Sequence, residues 1–233
     1  HLAATTSLLT LIRYASSASS LRTLLEKFSC PDLALQAGIK EWRSAGITDK
    51  ACAHLQSPDL VRLEQDLEWC DEPDHDVIAW HDADYPELLR QTENPPAALF
   101  VIGNIDLLWH PQIAIVGSRH PTPGGRENAK QFARTFAESG WCVTSGLAEG
   151  IDTSAHGGAL SVPDNSGRAT VAVVATGLDV IYPAQNRGLA EIIARHGAII
   201  SEHPPGTPPL KEHFPSRNRI IAGLSLGCLV VEA

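Results

Sequence analysis

The sequence predicts an α/β protein with a doubly wound, mainly parallel sheet, preceded by a small all-helical domain. The central observation is residues 112–119, QIAIVGSR, where a short apolar run ends in glycine, serine and arginine. Such a run is typical of a buried parallel strand. Four more short apolar runs follow, each reached through a polar loop and a helical pattern. Parallel neighbours need crossover connections, so helices are expected on both faces of the sheet.

The strand, loop and helix pattern repeats to the end of the chain. The first helix is expected after the turn residues HPTPGG, with Phe132 and Phe136 on its apolar face and Gly140 at its end. Later strands are predicted at 141–144, 169–175, 198–201 and 228–231, and later helices at 153–160, 187–195 and 219–224. Ligands of such sheets bind beyond the carboxyl ends of the strands, so the loops there form the candidate site.

The sequence divides into three predicted segments. Residues 1–70 are small helices, with Pro58 at the start of the last one. The piece SAGITDKACAHL within them could be a degenerate helix-hairpin-helix whose glycine turn faces a phosphate, or a short helix of a packed bundle. Residues 71–111 are expected to be an acidic connector and an extended lead-in to the sheet. Residues 112–233 are the sheet domain.

The charge of the chain is unevenly distributed. The formal net charge is −9, with 8 basic against 17 acidic residues in 1–111 and 10 of each in 112–233. The basic residues of the second half gather in predicted loops at strand ends, as Arg119, Lys211, Arg217 and Arg219, with Arg168 just before a strand. A locally positive cleft attracts a polyanion whatever the net charge. The acidic total therefore does not exclude a nucleic-acid partner.

Cysteine usage and hydropathy indicate a cytoplasmic protein. The five cysteines are an odd number without a CxxC pair, which suits buried thiols better than disulfides or zinc. There is no run of 18 apolar residues and no signal peptide. The sequence also lacks methionine and stops at the end of a predicted strand, so we expect a fragment of a longer chain.

The loop after the first strand predicts an anion site. GSRHPTPGG matches neither the dinucleotide-binding glycine motif nor a P-loop, so neither a nucleotide cofactor nor NTP hydrolysis is expected. Gly117 allows close backbone approach, Ser118 is a small donor, and Arg119 is a bidentate phosphate donor with a helix N-terminus behind it. The residues that should converge on the same rim are Ser145, Gly146, Gly150, Gly177, Arg217, Asn218 and Arg219.

Three acidic or histidine residues near these loops are candidates for catalysis or metal binding. Asp152 and His156 are four residues apart at a predicted helix start, but a third ligand with suitable spacing is missing. Asp152 is better explained as an N-cap, His156 as a helix residue hydrogen-bonded to a loop, and Glu202 as the partner of a loop arginine. Tyr182 and Phe214, beside the basic loops, are either core residues or stacking platforms for bases, and the sequence does not decide between them.

Several loop motifs together resemble one family. GSR at 117–119, SGLAEGIDTSAHGGAL at 145–160, GLDVIYPAQN at 177–186, SEHPPG at 201–206 and FPSRNRIIAGLS at 214–225 are similar, in order and spacing, to the DNA processing protein A family, also called DprA or Smf. The resemblance covers about residues 80–233. It implies a Rossmann-like domain, and it makes the helices of 1–70 similar to that family's SAM-like or helix-hairpin-helix domain.

The resemblance also implies a function. Members bind single-stranded DNA without strong sequence preference, form homodimers through the Rossmann-like domain, and help to load RecA during natural transformation; they are not enzymes and need no cofactor. Transferred to this chain, the family's DNA-binding arginine of the GSR motif is Arg119, and its basic residue before the third strand is Arg168. The full expected DNA site is Gly117, Ser118, Arg119, Ser145, Gly146, Arg168, Gly177, Lys211, Phe214, Arg217, Asn218 and Arg219.

Two alternatives belong to other classes of protein. One is a Rossmann-type nucleotide hydrolase resembling the lysine-decarboxylase-like proteins, which carry a PGGxGT motif. Here PGG at 123–125 is followed by Arg126 and Glu127 and comes after the first strand, so that catalytic arrangement is missing. The other is a non-catalytic interaction scaffold. Binding of fluorescent oligo-dT together with a nucleotide-release assay would separate the three.

Overall fold

A computed structural model gives the fold and describes residues 2–15, 17–28, 30–163 and 170–233. The chain divides into two compact units. The first contains His1–Tyr85 and Glu93–Leu99, and the second contains Pro86–Thr92 and Phe100–Ala233. Within the described ranges, none of the helices combines the length and the apolar character needed to cross a bilayer.

The first unit is mainly a bundle of six helices. Its core is built from buried apolar side chains, among them Leu11, Leu24 and Trp42. Side-chain caps define helix starts, since Ser17 accepts a hydrogen bond from the backbone of Ser20. The helices are α1 (Leu2–Tyr14), α2 (Ala18–Lys27), α3 (Pro31–Gln36), α4 (Ile39–Ser44), α5 (Asp49–Gln56) and α6 (Leu60–Cys70).

The turn between α4 and α5 lies in the piece SAGITDKACAHL, which the sequence allows to be either a helix-hairpin-helix or a short helix of a packed bundle. Gly46 adopts a φ of +88°, a left-handed conformation that favours glycine. Ile47, the apolar residue of the turn, is only 3% exposed and belongs to the core of the bundle. This burial fits both interpretations, because a helix-hairpin-helix turn can also pack its apolar residue in the core while its glycine backbone faces a phosphate.

The strands form a single seven-stranded, mostly parallel sheet. The strand order is β1-β2-β6-β5-β4-β3-β7, with β3 to β7 pairing in parallel and β2 antiparallel to β6. The predicted fold class is confirmed. The strands are β1 (His75–Ala79), β2 (Ala98–Gly103), β3 (Gln112–Gly117), β4 (Cys142–Ser145), β5 (Thr170–Val173), β6 (Ala198–Ser201) and β7 (Gly227–Val231).

Two of these strands were not expected from the sequence. Residues 71–111 contain β1 and β2, together with α7 (Glu87–Arg90) and a 3-10 helix at Ile105–Trp109. The prolines at 86, 95 and 96 lie between the two strands and suggested an extended lead-in. The apolar run ALFVIG instead pairs with β6, because an antiparallel strand can extend an otherwise parallel sheet.

The remaining helices connect the parallel strands. They are α8 (Pro123–Glu138), α9 (Ile151–Leu160), α10 (Arg187–His196) and α11 (His213–Leu224). Small residues let α8 and α9 approach closely, since a Cβ on Gly158 would lie 2.2 Å from the carbonyl oxygen of Lys130. The chain returns after β6 to place β7 beside β3, so α11 crosses in the opposite direction to the helices before it. Such a reversal of strand order creates a crevice at the carboxyl ends of the strands.

Helix α11 begins earlier than predicted. The sequence suggested 219–224, because Pro215 argued for a loop, but the helix starts at His213. Proline is tolerated in the first turn of a helix, where its missing N–H has no partner to lose. Phe214, Arg217 and Asn218 therefore lie on a helix and not, as expected, on a loop.

The five cysteines are free thiols, and only part of the expectation for them holds. Cys52 and Cys142 are buried, and Cys30 and Cys70 are half-buried. Cys228 on β7 is exposed, so the expectation that all five thiols are buried is wrong at this position. Strand β7 is the edge of the sheet, which leaves one of its sides uncovered.

Candidate nucleic-acid interface

Two adjacent cavities lie at the carboxyl ends of the central strands. The first has a volume of about 180 Å³ and the second about 290 Å³. Arg119, Ala148 and Arg217 line both cavities, so the two form one continuous cleft. The first is also lined by His120, Gly146, Glu149, Thr176, Tyr182 and Phe214, and the second by Gly117, Asp152, Asn218, Ile221 and Cys228.

Arg119 sits at the tip of β3 and is exposed to solvent. Its guanidinium carbon is 5.9 Å from the centroid of the Phe214 ring, within range for a cation–π interaction. Among the described residues, no hydrogen bond or ion pair engages this guanidinium. All of its donors are therefore available to an anion in the cleft.

The loop that carries Arg119 is held through its backbone. A Cβ on Gly117 would lie 1.8 Å from the carbonyl oxygen of Val231, so only glycine allows β3 and β7 to meet here. The carbonyl oxygen of Ser118 accepts a hydrogen bond from the backbone of Ile151 at 3.1 Å. The Ser118 hydroxyl oxygen accepts one from the backbone of His120 at 3.1 Å. The loop position is thus fixed by two neighbouring elements.

Arg217 is a buried arginine below the surface of the cleft. It is 6% exposed, and its guanidinium donates hydrogen bonds to the carbonyl oxygens of Gly146 and Val173, at the ends of β4 and β5. Burial lowers the pKa of Arg217, an effect that the nearby Asp152 carboxylate opposes. A Cβ on Gly146 would lie 2.6 Å from this guanidinium, which explains the glycine. Arg217 therefore connects two strand ends.

Asp152 holds the same loop from the other side. Its carboxylate accepts hydrogen bonds from the backbone N–H groups of Gly146 at 3.1 Å and Ala148 at 3.2 Å. Burial raises its pKa, and the charge of Arg217 and these bonds act in the opposite direction. The expected role of Asp152 as N-cap is wrong, because Gly150, with a φ of +86°, occupies that position. Asp152 orders the loop that lines the cleft.

His156 is enclosed in the core next to this network. It is 0% exposed, and its Nδ1 lies 2.8 Å from the Thr170 hydroxyl on β5. Burial, reinforced by the charge of Arg217, lowers its pKa to about 3, so the ring is neutral. Its expected bond to a loop is replaced by this bond to a strand. No group of three His, Cys, Asp or Glu residues in the described part of the chain is arranged to hold a metal ion.

Two aromatic rings form one wall of the first cavity. Tyr182 and Phe214 are in edge contact, with ring centroids 5.5 Å apart and an interplanar angle of 60°. Tyr182 is 48% exposed and Phe214 is half-buried, so neither ring is a core residue. Of the two interpretations left open by the sequence, accessible stacking surfaces describe this arrangement better. Flat accessible rings beside a cation suit bases next to phosphates.

Other predicted site residues lie outside the open cleft. Ser145 is buried, and its hydroxyl donates to the carbonyl oxygen of Ile115 at 2.6 Å. Gly177 bonds through its backbone to Thr207 and lines neither cavity. Arg219 forms an ion pair with Glu202, which confirms the expected pairing of Glu202 with a neighbouring arginine. Lys211 is exposed but lines neither cavity, and Arg168 falls outside the described residues.

Some residues of the cleft were not predicted. His120 and Glu149 follow strand tips, so the strand-end rule alone could have identified them. Cys228 lines the second cavity because β7 pairs with β3 in a register that sets Cys228 opposite Ala114. That register depends on a crossover over the sheet, for which the sequence carries no local signal.

Comparison with protein families gives a match over most of the sheet. The sequence model of the family described as DNA recombination-mediator protein A matches residues 76–233. Protein Smf of Escherichia coli strain K12 is 40% identical over 192 residues, which are 82% of this chain and 50% of that protein. DNA processing protein DprA of Streptococcus pneumoniae strain R6 is 45% identical over 149 residues, 64% of this chain and 51% of that protein. The chain spans about half the length of these relatives.

Two solved structures are similar to this fold. The X-ray structure of DNA processing protein A from Streptococcus pneumoniae superposes with a TM-score of 0.82 and 32% identity, covering 98% of this chain and 78% of that one. The second structure is of DNA processing protein A from Helicobacter pylori and is described as giving insights into the unique single-stranded DNA binding mode of that protein. Its TM-score is 0.59 and its sequence identity 31%, and the match covers 67% of this chain and 68% of that one.

Proposed function

Because this chain belongs to the DNA recombination-mediator protein A family, we propose that it binds single-stranded DNA in the cleft around Arg119. The strand is held by its phosphates and by stacking of bases, without strong sequence preference. In this proposal the protein protects incoming single strands during natural transformation and helps to load RecA. It works as a homodimer in the cytoplasm, and it binds DNA without catalysing a reaction on it.

The observation that carries the proposal is the Arg119 guanidinium, which lies beside two accessible rings and has no hydrogen-bond or ion-pair partner among the described residues. A cation next to aromatic rings is the combination that non-specific single-strand binders use, with charge along the backbone and rings under the bases. Most other charges of the cleft are already engaged, since Arg217 holds two carbonyl oxygens and Asp152 two backbone N–H groups. Arg119 is therefore the leading phosphate contact.

Ten of the twelve predicted site residues fall into three groups in this proposal. Gly117, Ser118, Ser145, Gly146 and Arg217 shape the cleft through backbone contacts and burial, and they influence DNA indirectly. Arg119, Phe214 and Asn218 face its cavities. We propose that Lys211 and Arg168 act on DNA beyond the two cavities, as long-range positive charge.

Similar proteins support the choice of ligand. The Helicobacter pylori structure concerns single-stranded DNA binding by that protein, and it matches this chain at 31% identity. A preference for single strands also fits the shape of the site, which is a pair of cavities of about 180 and 290 Å³ with two aromatic rings in the wall of the first. Bases in a duplex are stacked on each other, so they are not free to enter such a cavity.

A binding titration tests the proposal. Fluorescently labelled oligo-dT and a duplex of equal length would be titrated with the protein at several salt concentrations. Tighter binding of the single strand is expected, with an affinity that falls as salt rises. Equal or tighter binding of the duplex would contradict the proposal. A nucleotide-release assay on the same preparation separates it from the hydrolase alternative, and absence of DNA binding with intact fold would favour the scaffold.

A further inference from the structure

The carboxylate of Glu232 reaches from the end of β7 to the start of α8. It accepts a hydrogen bond from the backbone N–H of Thr122 at 2.8 Å and another from the Thr122 hydroxyl. The Thr122 hydroxyl oxygen in turn accepts from the backbone N–H of Gly125 at 3.0 Å, as the N-cap of α8. These bonds to Thr122 lower the pKa of Glu232, so its carboxylate is charged at neutral pH.

Two backbone features show how closely this contact is fitted. Glu232 has a φ of +51°, a left-handed conformation that is unfavourable for a residue other than glycine. A Cβ on Gly125 would lie 2.4 Å from the carboxylate carbon of Glu232, so the carboxylate occupies the space above a required glycine. The contact therefore depends on the length of the side chain as well as on its acceptor atoms.

The loop fixed by this contact is the one that carries Arg119. At its beginning, the backbone N–H of Ser118 donates to the carbonyl oxygen of Val231 at 3.3 Å, and at its end Thr122 is bonded to Glu232. Val231, the last residue of β7, and Glu232, which follows it, thus hold the two ends of residues 118–122. The Arg119 side chain has no hydrogen bond or ion pair within the described chain, so the backbone support of its loop by Val231, Glu232 and Ile151 is a main determinant of where its charge is placed.

From this geometry we infer that Glu232 is a positioning residue for DNA binding, which holds the loop of Arg119 in the form that receives a phosphate. The inference rests on the proposed function. The change in DNA affinity on loss of Glu232 distinguishes this role from a simple effect of charge. By charge alone, an acidic residue close to a site for a polyanion should weaken binding through repulsion. If Glu232 positions the loop, its loss weakens DNA binding; if only its charge matters, its loss strengthens binding.

Two conservative variants separate charge from reach. Glu232→Asp keeps the charge but shortens the side chain, so the carboxylate no longer reaches Thr122. Glu232→Gln removes the charge but keeps the reach, because its one amide oxygen can accept from the Thr122 N–H and its amide N–H can donate to the Thr122 hydroxyl oxygen. Glu127→Gln is a matched control, because Glu127 is an exposed carboxylate on α8 whose only hydrogen-bond partner in the described part of the chain is Gln131.

The measurements are oligo-dT affinity at several salt concentrations and hydrogen exchange of residues 118–122. We expect Glu232→Asp to weaken binding by about threefold to tenfold, of the order of one lost hydrogen bond, with an unchanged salt slope. Exchange in the loop should become faster. Glu232→Gln should stay within about twofold of the parent protein, and Glu127→Gln should bind equally or slightly more tightly.

The opposite pattern would overturn the inference. If Glu232→Asp binds like the parent protein while Glu232→Gln and Glu127→Gln both bind more tightly, Glu232 acts only through its charge. Both Glu232 variants are conservative, and a melting curve of each shows that it is folded at the temperature of the titration. If the parent protein itself fails to bind oligo-dT, the proposed function is wrong. If it binds and Arg119→Ala weakens binding while Glu232→Asp does not, only the positioning role is wrong.

Discussion

The guanidinium carbon of Arg119 lies 5.9 Å from the centroid of the Phe214 ring, across the mouth of the first cavity. The two residues are far apart in sequence, one at the tip of β3 and the other in the first turn of α11. Their pairing places a cation and an aromatic surface at the same point of the cleft. The contribution of Arg119 to DNA affinity should depend on salt concentration, and the contribution of Phe214 should not.

The first prediction concerns the phosphate contact. Arg119→Ala removes one charge-assisted hydrogen-bond donor, so oligo-dT should bind about tenfold to hundredfold more weakly. The slope of log K against log salt should fall by about 0.7, and the loss should be similar for dT, dC and mixed sequences. Arg134→Ala is the control, because Arg134 pairs with Glu138 on α8.

The melting temperature of the Arg119 variant should stay the same, because the exposed side chain forms no bond within the described residues. A lowered melting temperature with an unchanged salt slope would show instead that Arg119 is structural. Glu202, the carboxylate expected to pair with a loop arginine, is paired with Arg219.

The second prediction concerns the aromatic wall. Phe214→Ala should weaken oligo-dT binding by about 1–3 kcal/mol if one base stacks on the ring. The salt slope should not change, because no phosphate contact is lost. Phe132→Ala is the matched control, because Phe132 lines neither cavity and is 48% exposed, which makes its expected place on the apolar face of α8 wrong. Unchanged affinity of Phe214→Ala would mean that the ring only supports Arg119 and does not contact a base.

The third prediction separates Arg217 from Arg119. Arg217→Ala leaves the carbonyl oxygens of Gly146 and Val173 without their donor and Asp152 without its neighbouring charge. Loss of one partner from a buried charged network costs about 3–5 kcal/mol, so the free energy of unfolding in urea should fall by that order. Arg119→Ala measured alongside should show little change. Full stability of Arg217→Ala would mean that the buried guanidinium is dispensable for the fold.

The fourth prediction concerns acid. The rings of His203 and His213 are stacked 3.9 Å apart, and burial, with smaller effects of His213 and Arg219, lowers the pKa of His203 to about 4 from 6.5. Between these two values the unfolded chain binds the proton more readily than the folded protein does. The contribution of the neutral His203 ring to the free energy of unfolding is therefore fully present above about pH 6.5, and it is lost progressively as the pH falls towards 4.

His203→Phe tests this directly, because it keeps a ring in the stack and removes the titration. Its stability at pH 7.5 should be close to that of the parent protein, since Nε2 of His203 is buried without a hydrogen-bond partner in the described structure. From pH 6.5 to 4 it should lose less stability than the parent, by at most about 3 kcal/mol. If His203→Phe and the parent protein lose the same stability between pH 6.5 and 4, the acid sensitivity is due to other groups.

The sequence was sufficient to predict the parallel strands of the sheet and the cleft at their carboxyl ends. The run at 113–116 and the later apolar runs are short, continuous and bounded by glycine or polar residues, so their strand character is a local property. Strand β2 and the early start of α11 were missed, because a partner strand and a tolerated Pro215 decide them.

The individual roles of the arginines could not be read from the sequence. Arg119, Arg217 and Arg219 follow similar strand-end patterns, yet one is exposed, one is buried and one is ion-paired. What distinguishes them is the return of α11 across the sheet, which brings Arg217 under the β4 and β5 ends. Such long-range contacts depend on topology, and residue type and spacing do not encode them locally.

The exposed thiol of Cys228 gives the cleft a built-in attachment point for a reporter group. It lines the second cavity, whereas Cys52 and Cys142 are buried; burial raises the pKa of Cys228, and it raises that of Cys142 to about 12. Reaction of a thiol with a maleimide or iodoacetamide needs both access and the thiolate form, so labelling of the folded protein should favour the accessible Cys228 over the two buried thiols. With the half-buried Cys30 and Cys70 replaced by serine, a fluorophore at Cys228 would report occupancy of the cleft as a change in emission.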